Sequence, residues 1–194
     1  MRTIVIATNN LGKLREFQDL FPQDKVIALA DISYTKEIME DGLTFEENAI
    51  QKAKQVALDI QMTVIADDSG LEVEALHGEP GIYSARYAGN HDSKANNELL
   101  LKKLKGISNR KAQFVCVLCL YKPNGEYILS KGICKGEITE EAKGTNGFGY
   151  DPYFYVKEYG KTFAELPISV KNQISHRAIA MKKLREYMDE AISD

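Results

Sequence analysis

Short apolar runs alternate with helix-like segments along the first half of this sequence. The β-branched run Thr3–Ala7 predicts a buried strand, and after the polar turn Thr8–Lys13 apolar residues recur at the spacing of a helix. A further strand is predicted at Thr63–Ala66, and the helix before it begins at a capping box formed by Thr44 and Glu47. This alternation is typical of α/β proteins, in which helices connect parallel strands and cover the sheet.

The second half adds an antiparallel hairpin. Phe114–Tyr121 and Tyr127–Ile133 read as strands, and the Asn-Gly pair inside Lys122–Gly125 readily takes the positive φ values of a tight turn. Helical patterns precede and follow the hairpin, and no repeat, low-complexity tract or linker interrupts the chain. We therefore predict one domain over residues 1–194, with an α/β fold and a mixed sheet flanked by helices.

The charge balance limits what the chain can bind. Its 194 residues carry a formal net charge of −3, whereas general binders of nucleic acid or of membrane surfaces have a broad basic excess. No apolar stretch approaches the roughly 20 residues of a membrane span. The polar residues Asn9, Asn10 and Lys13 follow the first apolar run too soon for an export signal. We predict a cytoplasmic protein that binds neither nucleic acid nor membrane.

Three cysteines raise the question of a metal or redox site. Cys116 and Cys119 form a C-x-x-C pattern, but it lies inside an apolar run that predicts a buried strand. Residues three apart on a strand face opposite sides of the sheet, which argues against a shared role. We predict that these two and Cys134 are reduced residues in or near the core, as in cytoplasmic proteins.

The turn Thr8–Lys13 is the first candidate binding segment. It joins a buried strand to a helix whose free N–H groups favour an anion, and its asparagines, glycine and lysine strengthen that preference. It is not the G-x-x-x-x-G-K-[ST] phosphate loop, which is absent from the sequence. A capped turn with a solvated Lys13 is an equally good interpretation of this segment alone.

The second candidate is Asp67-Asp68-Ser69-Gly70, which follows an apolar strand and precedes the alternating run Leu71–Ala75. Adjacent carboxylates repel each other near a core unless a cation offsets them, and Mg²⁺ is the natural partner. Glu40 or Asp41, in an irregular acidic segment, could complete the site. The purely structural alternatives are a turn closed by Asp and Gly for the Asp67–Gly70 segment and a solvated loop for the acidic segment.

The third candidate combines a glycine-rich loop with the cations that follow it. In Gly147–Asp151, glycines flank two aromatic residues, which favours a stacking platform for a base, although a turn with Phe148 in the core is equally compatible. Lys171, His176 and Arg177 lie just before and at the start of the last helix. Cations at a helix N-terminus oppose the helix dipole, so we interpret them as ligand contacts.

Six short motifs in the same order resemble the inosine triphosphate pyrophosphatase family, in particular its bacterial dITP/XTP pyrophosphatases. The resemblance covers essentially the whole chain. The motifs are Thr8-Asn-Asn-x-Gly-Lys13, Thr44-Phe-x-Glu-Asn-Ala49, Ala66-Asp-Asp-Ser-Gly-Leu71, Pro80-Gly-Ile-Tyr-Ser-Ala-Arg86, Gly147-Phe-Gly-Tyr-Asp-Pro152 and Ser175-His-Arg177.

The resemblance implies two lobes around a central cleft, a homodimer, and Mg²⁺-dependent hydrolysis; whether Mn²⁺ replaces Mg²⁺ is left open by the sequence. The substrates would be non-standard purine nucleoside triphosphates (dITP, ITP, XTP), cleaved to monophosphate and pyrophosphate. By the same resemblance, Asp68 is the catalytic base, Lys52 a catalytic lysine, and Glu40 and Asp68 the metal ligands. The implied substrate-binding residues are Thr8, Asn9, Asn10, Leu11, Gly12, Lys13, Ser69, Phe148, Gly149, Tyr150, Asp151, Lys171, His176 and Arg177.

Two other functions fit parts of this pattern. One is a pyrophosphatase for modified pyrimidine or methylated nucleotides. The other is a nucleotide-binding or RNA-binding module without turnover, in which Phe148 and Tyr150 would stack on bases. The paired Asp67 and Asp68 argue against that module, because carboxylates repel a phosphate backbone unless a metal intervenes.

Overall fold

The computed structural model describes residues 3–89 and 91–193, and its strands form one mixed sheet. The strands are β1 (Thr3–Ile6), β2 (Lys25–Ala28), β3 (Val64–Val73), β4 (Lys111–Tyr121), β5 (Tyr127–Ile138), β6 (Phe154–Val156) and β7 (Lys161–Thr162). Their order across the sheet is β2-β1-β3-β4-β5-β6-β7. β1 runs parallel to β2 and β3, whereas β6 is antiparallel to β5 and β7. The predicted α/β fold with a mixed sheet is confirmed.

The α-helices in the described residues are α1 (Leu11–Leu20), α2 (Phe45–Ile60), α3 (Ser93–Lys103), α4 (Ile168–Ile174) and α5 (His176–Ser193). Every one except α4 has a counterpart in the sequence pattern. Because α4 has only seven residues, between Pro167 and Ser175, it is too short to show helical periodicity. None of the helices in these residues is long and apolar enough to cross a membrane.

The start of α2 follows the predicted capping box in part. The Thr44 hydroxyl accepts a hydrogen bond from the Glu47 N–H at 3.1 Å. The Glu47 carboxylate reaches back one residue further than a capping box requires and accepts from the Leu43 N–H at 2.7 Å. The acidic segment before α2 is therefore fixed to the first turn of the helix.

The chain divides into two compact units, neither of which is continuous in sequence. Unit 1 contains Met1–Asp68, Cys116–Gly132 and Arg177–Asp194, and unit 2 contains Ser69–Val115 and Ile133–His176. In unit 1, α1 and α5 bury apolar side chains against β1, β3 and β4. The fully buried members of this core include Phe17, Ile65, Leu118, Ala180 and Leu184.

Unit 2 has its own core, which is built around three phenylalanine rings. The Phe114 ring lies 4.5 Å from that of Phe154 and 5.8 Å from that of Phe163, measured between centroids. Leu71 and Leu100 complete the centre of this cluster. Aromatic pairs at these separations add about 0.5–1.5 kcal/mol each to the free energy gained by burial.

β3 corrects the sequence interpretation of the two aspartates. The predicted strands Thr63–Ala66 and Leu71–Ala75 are joined in one ten-residue strand, Val64–Val73, which ends before a 3₁₀ turn at Glu74–Leu76. Asp67 and Asp68 lie inside this strand rather than at its end. The low strand propensity of Asp, Ser and Gly suggested a turn, but tertiary contacts override propensity here. Because successive strand residues face opposite sides, the two carboxylates point apart and need separate partners.

The cysteines support a prediction about reactivity. All three are free and buried, as the sequence predicted. Burial raises the pKa of Cys119 and of Cys134 to about 12, and that of Cys116 well above its usual value. Because the thiolate is the reactive form, we expect no thiol of the native chain to react with DTNB within minutes, and every one to react after denaturation. One rapidly labelled native thiol would contradict this.

Candidate active site

The turn before α1 supplies the N-cap of that helix. Asn10 is the N-cap of α1, and its side-chain oxygen accepts from the N–H groups of Gly12 and Lys13 at 2.9 and 3.1 Å. The Thr8 hydroxyl accepts from the Asn10 N–H at 3.1 Å. Asn9 and Leu11 are exposed, Leu11 to 68%. The capped turn is therefore present, but its Lys13 is not solvated: the ammonium pairs with Asp67.

Asp67 is the anion at the centre of a group that we call the Asp67 cluster: the buried residues Glu16, Asp67, Cys116 and Arg177, and the partly exposed Lys13. Its carboxylate accepts from the Arg177 guanidinium at 3.1 and 3.2 Å and from the Cys116 thiol at 3.1 Å. Burial alone would raise the pKa of Asp67, but the charges of Arg177 and Lys13 outweigh it and hold that pKa well below its usual range. Asp67 is therefore a permanent anion.

The contacts of Arg177 differ from the sequence prediction, which interpreted a cation at a helix start as a ligand contact. Its guanidinium is 1% exposed and pairs with Glu16 as well as with Asp67, so it has a structural purpose that its place at a helix start did not reveal. Glu16 was missed by sequence reasoning because a glutamate in an amphipathic helix reads as solvated. The one available signal was its place next to the buried Phe17.

On the other face of β3 lies the Asp68 cluster: Glu40, Asn48, Lys52 and Asp68. The Lys52 ammonium is 3.2 Å from Asp68 and 2.8 Å from Glu40, and the Asn48 side chain donates to Asp68 at 3.1 Å. Burial raises the pKa of Asp68 above its usual value, in spite of the Lys52 charge. The residues to which the resemblance assigned catalysis and metal binding are thus in contact.

The Asp68 cluster distinguishes Glu40 from its neighbour. Glu40 shares the Lys52 ammonium with Asp68, whereas Asp41 accepts a hydrogen bond from the Gln51 side chain at 2.8 Å. No group of three or more His, Cys, Asp or Glu side chains in residues 3–89 and 91–193 could hold a metal ion by itself. Mg²⁺ commonly takes only one or two carboxylates with waters and phosphate oxygens, and Glu40 and Asp68 are two carboxylates that share one cation here.

The glycine-rich loop Gly144–Asp151 in unit 2 is organised by its last residue. Asp151 is buried, and its carboxylate accepts from the Phe148 N–H at 2.9 Å and from the Lys171 ammonium at 2.6 Å. Gly147 has φ +75°, and a Cβ there would lie 1.9 Å from the Asp151 carboxylate. The backbone at Gly147 therefore lies close against the Asp151 carboxylate.

The aromatic residues of the loop differ in exposure. The Phe148 ring is 36% exposed, with the Lys171 ammonium 5.1 Å from its centroid, so it is not part of the core. Tyr150 is buried and donates to the Ser84 carbonyl at 2.8 Å, which removes it as a stacking surface. His176 is also buried, and its ring stacks on Phe114 at 4.7 Å.

Two of the buried asparagines in the helices were not predicted as site residues. Asn97 on α3 donates to the Gly149 carbonyl at 3.0 Å, and Asn48 on α2 belongs to the Asp68 cluster. Asparagine is a poor former of helix interiors, so its presence on the inner face of a helix was the available signal. Ser69, half-buried, directly follows Asp68 on β3.

We expect Asp151→Asn to lower the free energy of unfolding by about 2 kcal/mol, because it leaves the buried Lys171 ammonium without its carboxylate. Urea unfolding measures the change. The exposed Glu141→Gln in the same segment is the control, with an expected effect below about 0.5 kcal/mol. Equal stability of the two variants would contradict this role of Asp151.

The fold and these clusters define an α/β protein with a group of acidic side chains and a lysine on each face of one strand. The sequence profile of the Ham1 family matches residues 4–187. The chain belongs to the Ham1 family.

Curated relatives and solved structures agree with that assignment. This chain is similar to the protein of Shouchella clausii that is named dITP/XTP pyrophosphatase. The two are 48% identical over 97% of this chain and 98% of the relative. The protein of that name in Staphylococcus aureus MW2 has 50% identity over 97% of each chain. The solved Ham1 protein of Staphylococcus aureus has a TM-score of 0.88 at 49% identity and covers 97% of this chain and 99% of its own. The solved Ham1 protein of Coxiella burnetii has a TM-score of 0.88 at 40% identity. It covers 98% of this chain and 100% of its own. The resemblance inferred from the six motifs is confirmed.

Proposed function

We propose that this chain hydrolyses dITP, ITP and XTP to the monophosphate and pyrophosphate. The observation that carries the proposal is the contact of Asp68, Lys52 and Glu40 in one cluster. The relatives named dITP/XTP pyrophosphatase, at about half identity over nearly the whole chain, support the substrate class.

Glu40 and Asp68 are the residues that would hold Mg²⁺. Their carboxylates are hard oxygen donors, and both already contact the Lys52 ammonium, so a positive charge is stable beside them. Mg²⁺ bound there supplies neutralisation of phosphate charge. Lys52 and Lys13 add ammonium groups for the phosphate oxygens, and Asp67 fixes the position of Lys13.

Asp68 is the proposed general base. Its carboxylate accepts a proton from a water molecule that attacks the α-phosphorus in line. The bond between the α-phosphorus and the bridging oxygen breaks, and pyrophosphate leaves with the bond electrons. Burial raises the pKa of Asp68, which strengthens its carboxylate as a base. The reaction requires no covalent intermediate.

Base recognition is assigned to unit 2. The exposed part of the Phe148 ring offers a surface for stacking, and Lys171 and His176 supply nitrogen donors. Such donors match the 6-keto acceptor of hypoxanthine and xanthine, whereas adenine has a 6-amino donor there. Each unmatched buried donor costs about 1–3 kcal/mol, so two give roughly 30-fold to 10⁴-fold selection against adenine. Guanine also has a 6-keto group, and this mechanism does not reject it.

The remaining predictions belong to the same proposal. We propose that residues 1–194 act as one domain, because both units are assembled from distant segments. We further propose a homodimer in the cytoplasm. The net charge of −3 supports a protein that does not bind nucleic acid or membrane surfaces broadly.

A substrate panel tests the proposal. The purified chain is incubated with dITP, ITP, XTP, GTP and ATP and Mg²⁺, and then with modified pyrimidine and methylated nucleotides. We expect rates on dITP, ITP and XTP at least about 30-fold above that on ATP. EDTA should abolish turnover, and Mg²⁺ or Mn²⁺ should restore it. Equal rates on all five purines, a preference for the added nucleotides, or binding without turnover would overturn the proposal.

A further inference from the structure

Asn48 has both ends of its side-chain amide engaged in unit 1, and neither partner is on its own helix. Its oxygen accepts from the Gly42 N–H at 2.8 Å, and its NH₂ group donates to Asp68 at 3.1 Å. The side chain is 1% exposed. The two bonds also fix which end of the amide is which, because only the NH₂ can donate to the carboxylate and only the oxygen can accept from Gly42.

The two partners of Asn48 lie in the two segments that carry the proposed metal ligands. Gly42 belongs to the acidic segment, two residues after Glu40, and Asp68 is in β3. A Cβ at Gly42 would lie 2.7 Å from the Glu47 Cβ and 2.8 Å from the Asn48 oxygen, so the segment packs tightly against α2. One amide therefore connects the backbone of the acidic segment to the proposed base.

From this geometry we propose that Asn48 is a positioning residue for hydrolysis: it orients the Asp68 carboxylate and fixes the acidic segment that carries Glu40. The inference rests on the proposed function. Asp68 has two oxygens, and the Asn48 bond to Oδ2 leaves Oδ1, which contacts Lys52, as the one to face a reacting group. Without that bond the carboxylate can rotate about its Cβ–Cγ bond.

Two variants separate the two bonds. Asn48→Ala removes both of them. Asn48→Asp keeps an oxygen for the Gly42 N–H but replaces the donor to Asp68 by a second carboxylate oxygen. Gln55→Ala is the matched control: Gln55 lies on α2 as well and holds the preceding part of the segment, through the Met39 N–H at 3.1 Å and the Glu37 carbonyl at 2.7 Å.

Steady-state kinetics with dITP, the affinity for a non-hydrolysable dITP analogue and the thermal midpoint are measured for each variant. We expect both Asn48 variants to lose kcat by about 100-fold or more, with analogue affinity within about 3-fold of wild type. Gln55→Ala should keep kcat within about 5-fold. An Asn48→Asp enzyme with wild-type kcat overturns the proposal, and so does an equal loss in Gln55→Ala.

A second measurement does not depend on activity. Amide hydrogen exchange of Gly42 is followed by NMR in the ligand-free chain. We expect its protection to fall at least about 10-fold in Asn48→Ala and to persist in Asn48→Asp. Unchanged protection in Asn48→Ala overturns the proposal whether or not the chain hydrolyses dITP. A wild-type chain inactive on every nucleotide, with the expected exchange pattern, would instead refute the proposed function and leave Asn48 as the residue that fixes the segment.

Discussion

Replacement of Asp68 by Asn is expected to lower kcat for dITP by at least about 10³-fold. A general base contributes about 10²–10⁴ to a rate, and Asp68 is also one of the two proposed metal ligands. The substituted amide has nearly the same shape and can still accept from Lys52, so the fold should persist. Initial rates of pyrophosphate release measure the first effect, and circular dichroism with thermal unfolding measures the second.

The control for this variant is Asp41→Asn. Asp41 lies next to Glu40 but contacts Gln51 rather than the Lys52 ammonium, so its replacement should change kcat less than about 3-fold. Loss of activity in the Asp41 variant would transfer the metal-binding role from Glu40 to its neighbour. An Asp68→Asn enzyme within tenfold of wild type would remove Asp68 from the role of base.

The largest effect on stability is expected for Arg177→Met. The substitution retains most of the apolar volume but leaves Asp67 and Glu16 without their shared cation in the interior of unit 1. Removing one partner of a buried ion pair costs about 3–5 kcal/mol. For a chain of this size each kcal/mol corresponds to roughly 2–4 °C in the thermal midpoint, so we expect a decrease of about 6–20 °C, measured by calorimetry.

Arg185→Met on the same helix is the matched control, because the Arg185 guanidinium lies over the face of the Phe21 ring, 4.7 Å from its centroid. Its expected cost is about 1 kcal/mol. A double variant, Glu16→Gln with Arg177→Met, should be more stable than Arg177→Met alone, because one of the two carboxylates that lose the Arg177 cation is then neutral. A destabilisation below 1 kcal/mol in Arg177→Met would contradict the role given to this cluster.

Local signals in the sequence predicted much of this fold. β1, the helix that begins after Thr44 and the hairpin with its Asn-Gly turn all depend on neighbours within a few residues, and all are present. α4 was missed because seven residues give too few turns to show a period. β3 was divided wrongly because the Asp-Asp-Ser-Gly stretch reads as a turn until its cationic partners are known.

The candidate site shows the same limit. Asp68 lies in one of the six motifs, the resemblance to the family implied Glu40 and Lys52, and the structure brings these three together. No role was assigned to Glu16, or to Asn48 inside the motif Thr44–Ala49, because their partners lie 161 and 20 residues away in sequence. A buried polar residue can be recognised only when its hydrogen-bond or ion-pair partner is known. The spacing of residues along the sequence does not show which distant residue is that partner.

Hydrolysis of dITP in H₂¹⁸O, with mass spectrometry of both products, tests the central claim most directly. We expect one ¹⁸O atom in dIMP, none in pyrophosphate, and no orthophosphate among the first products. Label in the pyrophosphate would place the attack on the β-phosphorus, and early orthophosphate would show cleavage at the γ-phosphorus. Either result would contradict attack by an Asp68-activated water at the α-phosphorus.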